Sequence, residues 1–380
     1  MALLKKAVFV VILIFVFSSA VYAVDTSASC AVLMEAQSGE VIYQKNEHEK
    51  RSMASTTKIM TSLIALENAD LKREFKVSGD MLKVEGTSMG LLDGDLVSFE
   101  DLVYGMLLQS GNDAANVTAV KLGGSVEDFA QIMNERAKQI GMENTNFVTP
   151  SGLDDENHYS TAYDMALLAC EAIKNADFRK ICSTSSARIS YGNPPYMRTL
   201  TNHNKLLDSC DGCFGIKTGF TKKSGRCLVS ACERNGVTLV CVTLNDPDDW
   251  YDHKSLYEYG FSKVSSKYVE TSSYSIPVAG GTADHVRCVM SFTPSLAVGD
   301  LSSVRSKVFI KSRIFAPVKK GDTVGRVVFY RDKKELVSVS LVCENDVETR
   351  KTKPENVTQK ESIKEKIKKF FILEKGDKID

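Results

Sequence analysis

Arg226-Cys227-Leu228-Val229-Ser230-Ala231-Cys232-Glu233-Arg234-Asn235-Gly236-Val237-Thr238-Leu239-Val240-Cys241-Val242-Thr243-Leu244 is the stretch that decides the fold. Two apolar runs, Arg226 to Cys232 and Val237 to Leu244, flank Asn235-Gly236, a dipeptide suited to the positive φ angles of a tight hairpin. Just upstream, Gly215 to Thr218 reads as a further strand. At the other end of the chain, Cys30 to Met34 and Glu40 to Tyr43 flank a Gln37-Ser38-Gly39 turn and read as a second hairpin. Helical periodicity fills the space between these strands. The pattern predicts an α+β fold, α/β in the broad sense, with an antiparallel five-stranded sheet flanked by helices.

The helical block can be read from its caps. Ile59, Met60, Leu63, Ile64 and Leu66 give one helix a wide apolar face. Ser98 with Glu100 and Asp101 opens another through Leu108, Ser110-Gly111-Asn112 interrupts it, and Asp113 restarts helix as far as Gly123-Gly124. Ser125 caps a helix ending near Gly141, and Ser160-Thr161 caps one running to about Asn175. Helix returns from Asp252 to Tyr259. The serine-rich stretch Ser265 to Ser275 reads as a linker. Beyond it, Val286 to Phe292, Val308 to Ile310, Thr323 to Tyr330 and Leu336 to Cys343 suggest a small all-β domain without evident chemistry. The expected division is therefore 1–23, 24–265, 266–350 and a tail, 351–380.

Three short strings carry the chemistry: Ser55-Thr56-Thr57-Lys58, Ser110-Gly111-Asn112 and Lys217-Thr218-Gly219. Each alone is a weak signal, since Ser-x-x-Lys fixes only two common residues. Together they form a system. A serine hydroxyl is a poor nucleophile until a nearby base takes its proton, and three residues along a helix bring two side chains together. A free lysine, with a pKa of ~10.4, is the wrong base at neutral pH. Burial or a neighbouring cation lowers it, and Lys217 is such a cation if the fold brings it into the same cleft. The combination points to acyl transfer through a serine ester.

Residues 1–23 hold Lys5 and Lys6, an apolar run from Ala7 to Phe17 and a small-residue end at Val21-Tyr22-Ala23, which reads as a secretory signal cut after Ala23. An uncleaved anchor is the alternative. The 48 basic and 48 acidic side chains balance, so no general electrostatic pull toward nucleic acid exists, and no DNA or RNA partner is expected. Ten cysteines in an exported chain are read as buried thiols, with a Cys210–Cys213 bridge left open. A zinc site from Cys210, Cys213, Cys227 and Cys232 is disfavoured by the spacing of the second pair. In the tail, Ile363, Ile367, Phe370 and Phe371 share a helical face amid Lys364, Lys366, Lys368 and Lys369, as in helices lying on an anionic membrane surface. A solvated charged tail is the plainer reading.

In this order the three strings resemble the penicilloyl serine transferases. The longer phrases Gln109-Ser110-Gly111-Asn112-Asp113-Ala114-Ala115, His158-Tyr159-Ser160-Thr161-Ala162-Tyr163-Asp164 and Gly215-Ile216-Lys217-Thr218-Gly219-Phe220-Thr221 narrow the resemblance to low-molecular-weight penicillin-binding proteins, the serine-type D-alanyl-D-alanine carboxypeptidases. The resemblance implies a serine β-lactamase-like first domain, and Phe315-Ala316-Pro317-Val318 with Gly321 and Val324-Gly325 looks like the family's β-rich second domain. It further implies that Ser55 attacks the bond between the terminal D-alanines of peptidoglycan pentapeptide stems, with Lys58 as general base and Ser110 as proton relay. Asn112, Lys217, Thr218, Gly219 and Phe220 would bind substrate, the last through its backbone N–H in the oxyanion hole beside that of Ser55. β-Lactam antibiotics would be covalent inhibitors, and neither metal nor organic cofactor is expected. Some relatives place a carboxylate-binding arginine near the position of Asp248-Asp249-Trp250. None stands there in this chain, so carboxylate recognition is expected to lean on Lys217 and Thr218.

Two other enzymatic readings compete. A β-lactamase shares the acyl-enzyme, but no Glu-x-x-Leu-Asn string of the class A enzymes occurs here. Gly86-Thr87-Ser88-Met89-Gly90 matches a nucleophile-elbow pattern, with His158, His203 and His253 as conceivable partners, yet no good strand precedes it. From a different class, the chain could be a non-catalytic cell-wall or morphogenetic protein on the same fold.

Overall fold

The computed structural model describes residues 24–269, 272–299, 301–331 and 334–351. The leader reading of 1–23 and nearly all of the tail reading of 351–380 lie outside the described residues. The described residues form two compact units, one of 24–268 with 295–304 and the other of the remaining described residues.

In the first unit, strands β1 (Cys30–Glu35) and β2 (Val41–Lys45) precede a 3-10 turn, Ala54–Thr57, that runs into helix α1 (Lys58–Asn68). A small ribbon of β3 (Glu74–Lys76) and β4 (Leu96–Ser98) leads into α2 (Phe99–Leu107), α3 (Asn112–Gly123) and α4 (Val126–Ile140). Helices α5 (Ala162–Ala172) and α6 (Ala176–Cys182) follow, then a hairpin of β5 (Ser186–Gly192) and β6 (Pro195–Thr201) and the short α7 (Leu206–Ser209). Strands β7 (Cys213–Thr221), β8 (Gly225–Arg234) and β9 (Val237–Leu244) and helix α8 (Asp249–Lys263) complete the main body.

The five-stranded sheet runs β2-β1-β9-β8-β7, antiparallel throughout. Its topology follows from sequence: the Asn235-Gly236 turn joins β8 to β9, both residues at positive φ. Strand β1 then closes beside β9, with Val32 opposite Val242. Alternation along the strands splits the core. Val32, Met34, Val240 and Val242 pack with the helical block, whereas Leu33, Leu239 and Cys241 pack with Leu256 and Tyr257 of α8. A sheet covered on both faces explains why its central strands read as nearly continuous apolar runs.

Helix starts follow their caps. Ser98 forms a reciprocal capping box with Asp101, and the hydroxyls of Ser125 and Thr161 accept from the backbone N–H groups of Asp128 and Asp164. Three expectations change. The helix at Thr161 stops eleven residues on, at Ala172, and α6 and the β5–β6 hairpin, unforeseen in sequence, follow it. The Ser265–Ser275 segment is no plain linker, because β10 (Ser265–Tyr268) pairs antiparallel with β13 (Ser295–Val298) within the first unit, and β11 (Tyr274–Ala279) is itself a strand. Serine is compatible with an edge strand when backbone pairing carries the ladder.

Among the described residues the second unit is all β. With β12 (His285–Met290), β14 (Val304–Ile310), β15 (Ile314–Phe315), β16 (Thr323–Arg331) and β17 (Lys334–Cys343), its sheet runs β14-β16-β17-β12-β11-β15.

Gly123 shows how tightly the helical block packs. A Cβ there would stand 2.7 Å from the backbone nitrogen of Phe129 and 2.8 Å from its Cα, and the Phe129 ring is fully buried. Gly→Ala in a helix ordinarily stabilises by up to about 1 kcal/mol. Gly123→Ala is expected to reverse that sign and cost about 1–3 kcal/mol through backbone displacement, read as a lowered melting temperature.

Candidate active site

Ser55 lies in the 3-10 turn rather than in regular α-helix, one residue after Ala54, which holds a left-handed φ of 49°. Lys58 is the first residue of α1 and is completely buried. Its Nζ lies 2.9 Å from Ser55 Oγ, 2.7 Å from Asn112 Oδ1 and 2.7 Å from the carbonyl of Ser151. The orientation of the Asn112 amide is fixed independently, because its Nδ2 donates to the Glu85 carbonyl at 2.6 Å. Two of the three partners of Lys58 are thus acceptors only.

That fact fixes how a neutral Lys58 would sit. A neutral amine has two hydrogens and one lone pair. With the hydrogens given to Asn112 and Ser151, the lone pair faces the Ser55 hydroxyl. Burial drives Lys58 well below the usual lysine range, and the charge of Lys217 drives it further, with Asp113 opposing. Lys217, also buried, is pulled down to about 7 by burial alone.

Ser55, Ser110, Asn112, Thr218, Gly219 and Phe220 line one cavity of about 480 Å³. Lys58 lies beneath it, bonded to Ser55 and Asn112, and Lys217 lies buried on β7 with its Nζ 2.7 Å from the Thr218 carbonyl. The structure therefore brings together every site residue expected from sequence. Ser110 occupies a left-handed φ of 60° between α2 and α3. Thr87 fastens this turn, donating to the Ser110 carbonyl at 2.6 Å and accepting from Asn112 N–H at 2.7 Å. Strand β7 is the free edge of the sheet, and it approaches the nucleophile closely. A Cβ on Gly219 would lie 3.0 Å from Ser55 N and 3.1 Å from the Met53 carbonyl, so glycine is what permits the approach.

Several supporting residues were not expected. Asp113 binds the 88–91 loop: its Oδ1 accepts from Met89 N–H at 2.9 Å, and its Oδ2 accepts from Ser88 Oγ at 2.6 Å and Leu91 N–H at 3.0 Å. Ser88 is thereby committed to a loop contact and stands in no strand-to-helix turn, which removes the nucleophile-elbow reading. His158 is a strut. Its Nδ1 accepts from Val148 N–H at 3.0 Å, so its Nε2 donates to Thr57 Oγ1 at 2.8 Å, and burial lowers it to about 4. His253 lies in a buried cluster with Ser230 and Thr243 beside Tyr257 of α8, away from the cavity, whereas His203 lines the cavity. All ten cysteines are free thiols, Cys210 and Cys213 included. Cys227 turns toward the carbonyls of Ser52 and Ser224, away from the Cys210–Cys232 contact.

No arginine stands at Asp248-Asp249-Trp250 in sequence, but in space Arg226 of β8 lines the same cavity, its Nη2 2.5 Å from Asp249 Oδ1 and its guanidinium carbon 5.5 Å from the Trp250 ring.

Residues 17–248 match the family model for D-alanyl-D-alanine carboxypeptidase. The chain belongs to that family. Residues 252–349 match the C-terminal domain of penicillin-binding protein 5. The chain is 29% identical over 335 residues to the D-alanyl-D-alanine carboxypeptidase DacF of Bacillus subtilis, covering 84% of this chain and 86% of the relative. It is 31% identical over 363 residues to DacC of Escherichia coli, covering 88% of each. Penicillin-binding protein 5 of Haemophilus influenzae superposes with a TM-score of 0.61 at 29% identity, covering 85% of this chain and 98% of that one. Membership of a serine peptidase family accounts for a serine and a buried lysine beside a cavity edged by a free strand.

The lysine pair gives a pH prediction. Removing the charge of Lys217 raises Lys58 toward its ordinary value, so less Lys58 is neutral at a given pH. In Lys217→Gln the acid limb of the benzylpenicillin acylation rate, followed by stopped-flow between pH 5 and 10, is expected to move to higher pH.

Proposed function

We propose that this family member removes the terminal D-alanine of peptidoglycan pentapeptide stems through an acyl-enzyme on Ser55. The observation that carries the reading is the Lys58 amine, whose other two partners leave its lone pair to the Ser55 hydroxyl. Lys58 takes the Ser55 proton as Oγ bonds to the scissile carbonyl carbon. The resulting oxyanion is received by the backbone N–H groups of Ser55 and Phe220, where the close approach of Gly219 brings the strand edge beside the turn. One such donor is worth roughly 100- to 1000-fold in rate.

Collapse of the tetrahedral species breaks the C–N bond, and the proton held by Lys58 passes by way of Ser110 to the leaving amine of D-alanine. Water then attacks the ester carbonyl, giving its proton to Lys58 and regenerating Ser55. Asn112 has a second part in this scheme: its Oδ1 orients Lys58 while the amide side of the cavity holds the stem peptide. Thr218 on the free edge of β7 faces the incoming peptide, which binds as an added strand. β-Lactams mimic the same acyl donor, and their slow release makes them inhibitors. Export of the chain past residue 23, and contact of the 351–380 tail with the membrane surface, belong to the same reading, since the wall substrate lies outside the cytoplasmic membrane.

Intact mass after incubation with benzylpenicillin tests the nucleophile. Wild type is expected to gain one covalent adduct that persists for minutes and to release free D-alanine from a pentapeptide. Ser55→Ala is expected to do neither while melting as wild type does. An adduct or D-alanine release surviving in Ser55→Ala would overturn the assignment.

A further inference from the structure

We propose that Arg226, oriented by Asp249, receives the terminal carboxylate of the peptide and sets the preference for substrates ending in a free acid. The proposal rests on acylation at Ser55. A peptide ending in D-alanyl-D-alanine carries its carboxylate one residue beyond the scissile carbonyl, so a cation has to stand a few ångströms along the cavity from Ser55. Lys217 is poorly placed for the task, being buried, turned to the Thr218 carbonyl and coupled to Lys58.

Arg226 is built for it. Its Cα is the register partner of Phe220, on the strand beside the free edge, and its side chain reaches the wall of the cavity that holds Ser55 and Thr218. Asp249 at the start of α8 is 4% exposed and grips one end of the guanidinium, while the arginine side chain itself remains 41% exposed. A guanidinium carries five N–H donors in a rigid fork. Here one end is fixed by Asp249, and Nε is shielded with no hydrogen-bond partner among the described residues. An arginine oriented by Asp249, with its guanidinium partly exposed in a substrate cavity, matches a planar carboxylate. Lys205 and His203 also reach this cavity, but neither offers a planar two-pronged donor.

The test compares release from diacetyl-L-lysyl-D-alanyl-D-alanine and from its C-terminal amide, measured as kcat/KM for wild type, Arg226→Gln, Arg226→Lys and Asp249→Asn. Wild type is expected to favour the free acid, and Arg226→Gln to lose about 10- to 100-fold of that preference. The loss should appear mainly in KM for the acid. Arg226→Lys should retain part of the preference, and Asp249→Asn should show a smaller loss in the same direction. A preference unchanged in Arg226→Gln, or in Arg226→Lys should the former melt early, would overturn the proposal while leaving Ser55 acylation intact. Failure of wild type to release product or to form a penicillin adduct would remove the acylation reading and this proposal with it.

Discussion

The site depends on one buried nitrogen. Lys58 Nζ, with no exposure, is surrounded by Ser55 Oγ, Asn112 Oδ1 and the Ser151 carbonyl. An ammonium held there costs several kcal/mol of lost hydration, whereas a neutral amine satisfies the same three partners with two donors and one lone pair. The activating geometry and the buried environment are thus one arrangement. Because its partners come from three separate segments, the amine also ties together the 3-10 turn, the start of α3 and the loop around residue 151.

The surrounding hydrogen bonds hold that arrangement still. Thr61 Oγ1 donates to the Pro150 carbonyl at 2.6 Å, and Thr57 accepts from His158, so the 3-10 turn and the first turn of α1 grip the same loop that supplies the Ser151 carbonyl. Asp154 Oδ1 accepts from Ser52 at 3.1 Å and Thr221 at 2.9 Å, linking that loop to the end of β7. Asp113 and Thr87 anchor the opposite wall. The cavity is framed by elements whose polar contacts are largely satisfied within the fold, leaving the Ser55 hydroxyl, the β7 edge and the Arg226 fork to meet a substrate.

Local signals made much of this legible. The Asn235-Gly236 hairpin, the apolar runs of β8 and β9 and the Ser98, Ser125 and Thr161 caps are each determined by neighbouring residues, and the predicted sheet follows from them. Ser55, Lys58, Asn112 and Lys217 stood out because short spacings carry recognisable chemistry. What sequence did not disclose depends on distant segments meeting. The Ser151 contribution is a carbonyl, which any residue could offer, and α6, capped by Asn175 but only seven residues long, and the β5–β6 hairpin lack a long apolar period. Arg226 carries no local signal, because its place beside Asp249 and Trp250 is created by the register of β8 against β9 and the turn that follows β9.

The most direct measurement is the titration of the Lys58 side chain by NMR of protein carrying 13C,15N-labelled lysine, with the signal assigned by its absence in Lys58→Met. A neutral-amine Cε and Nζ signature at pH 7 is predicted. An ammonium signature that persists to pH 10 would contradict the central claim that Lys58 presents a lone pair to Ser55.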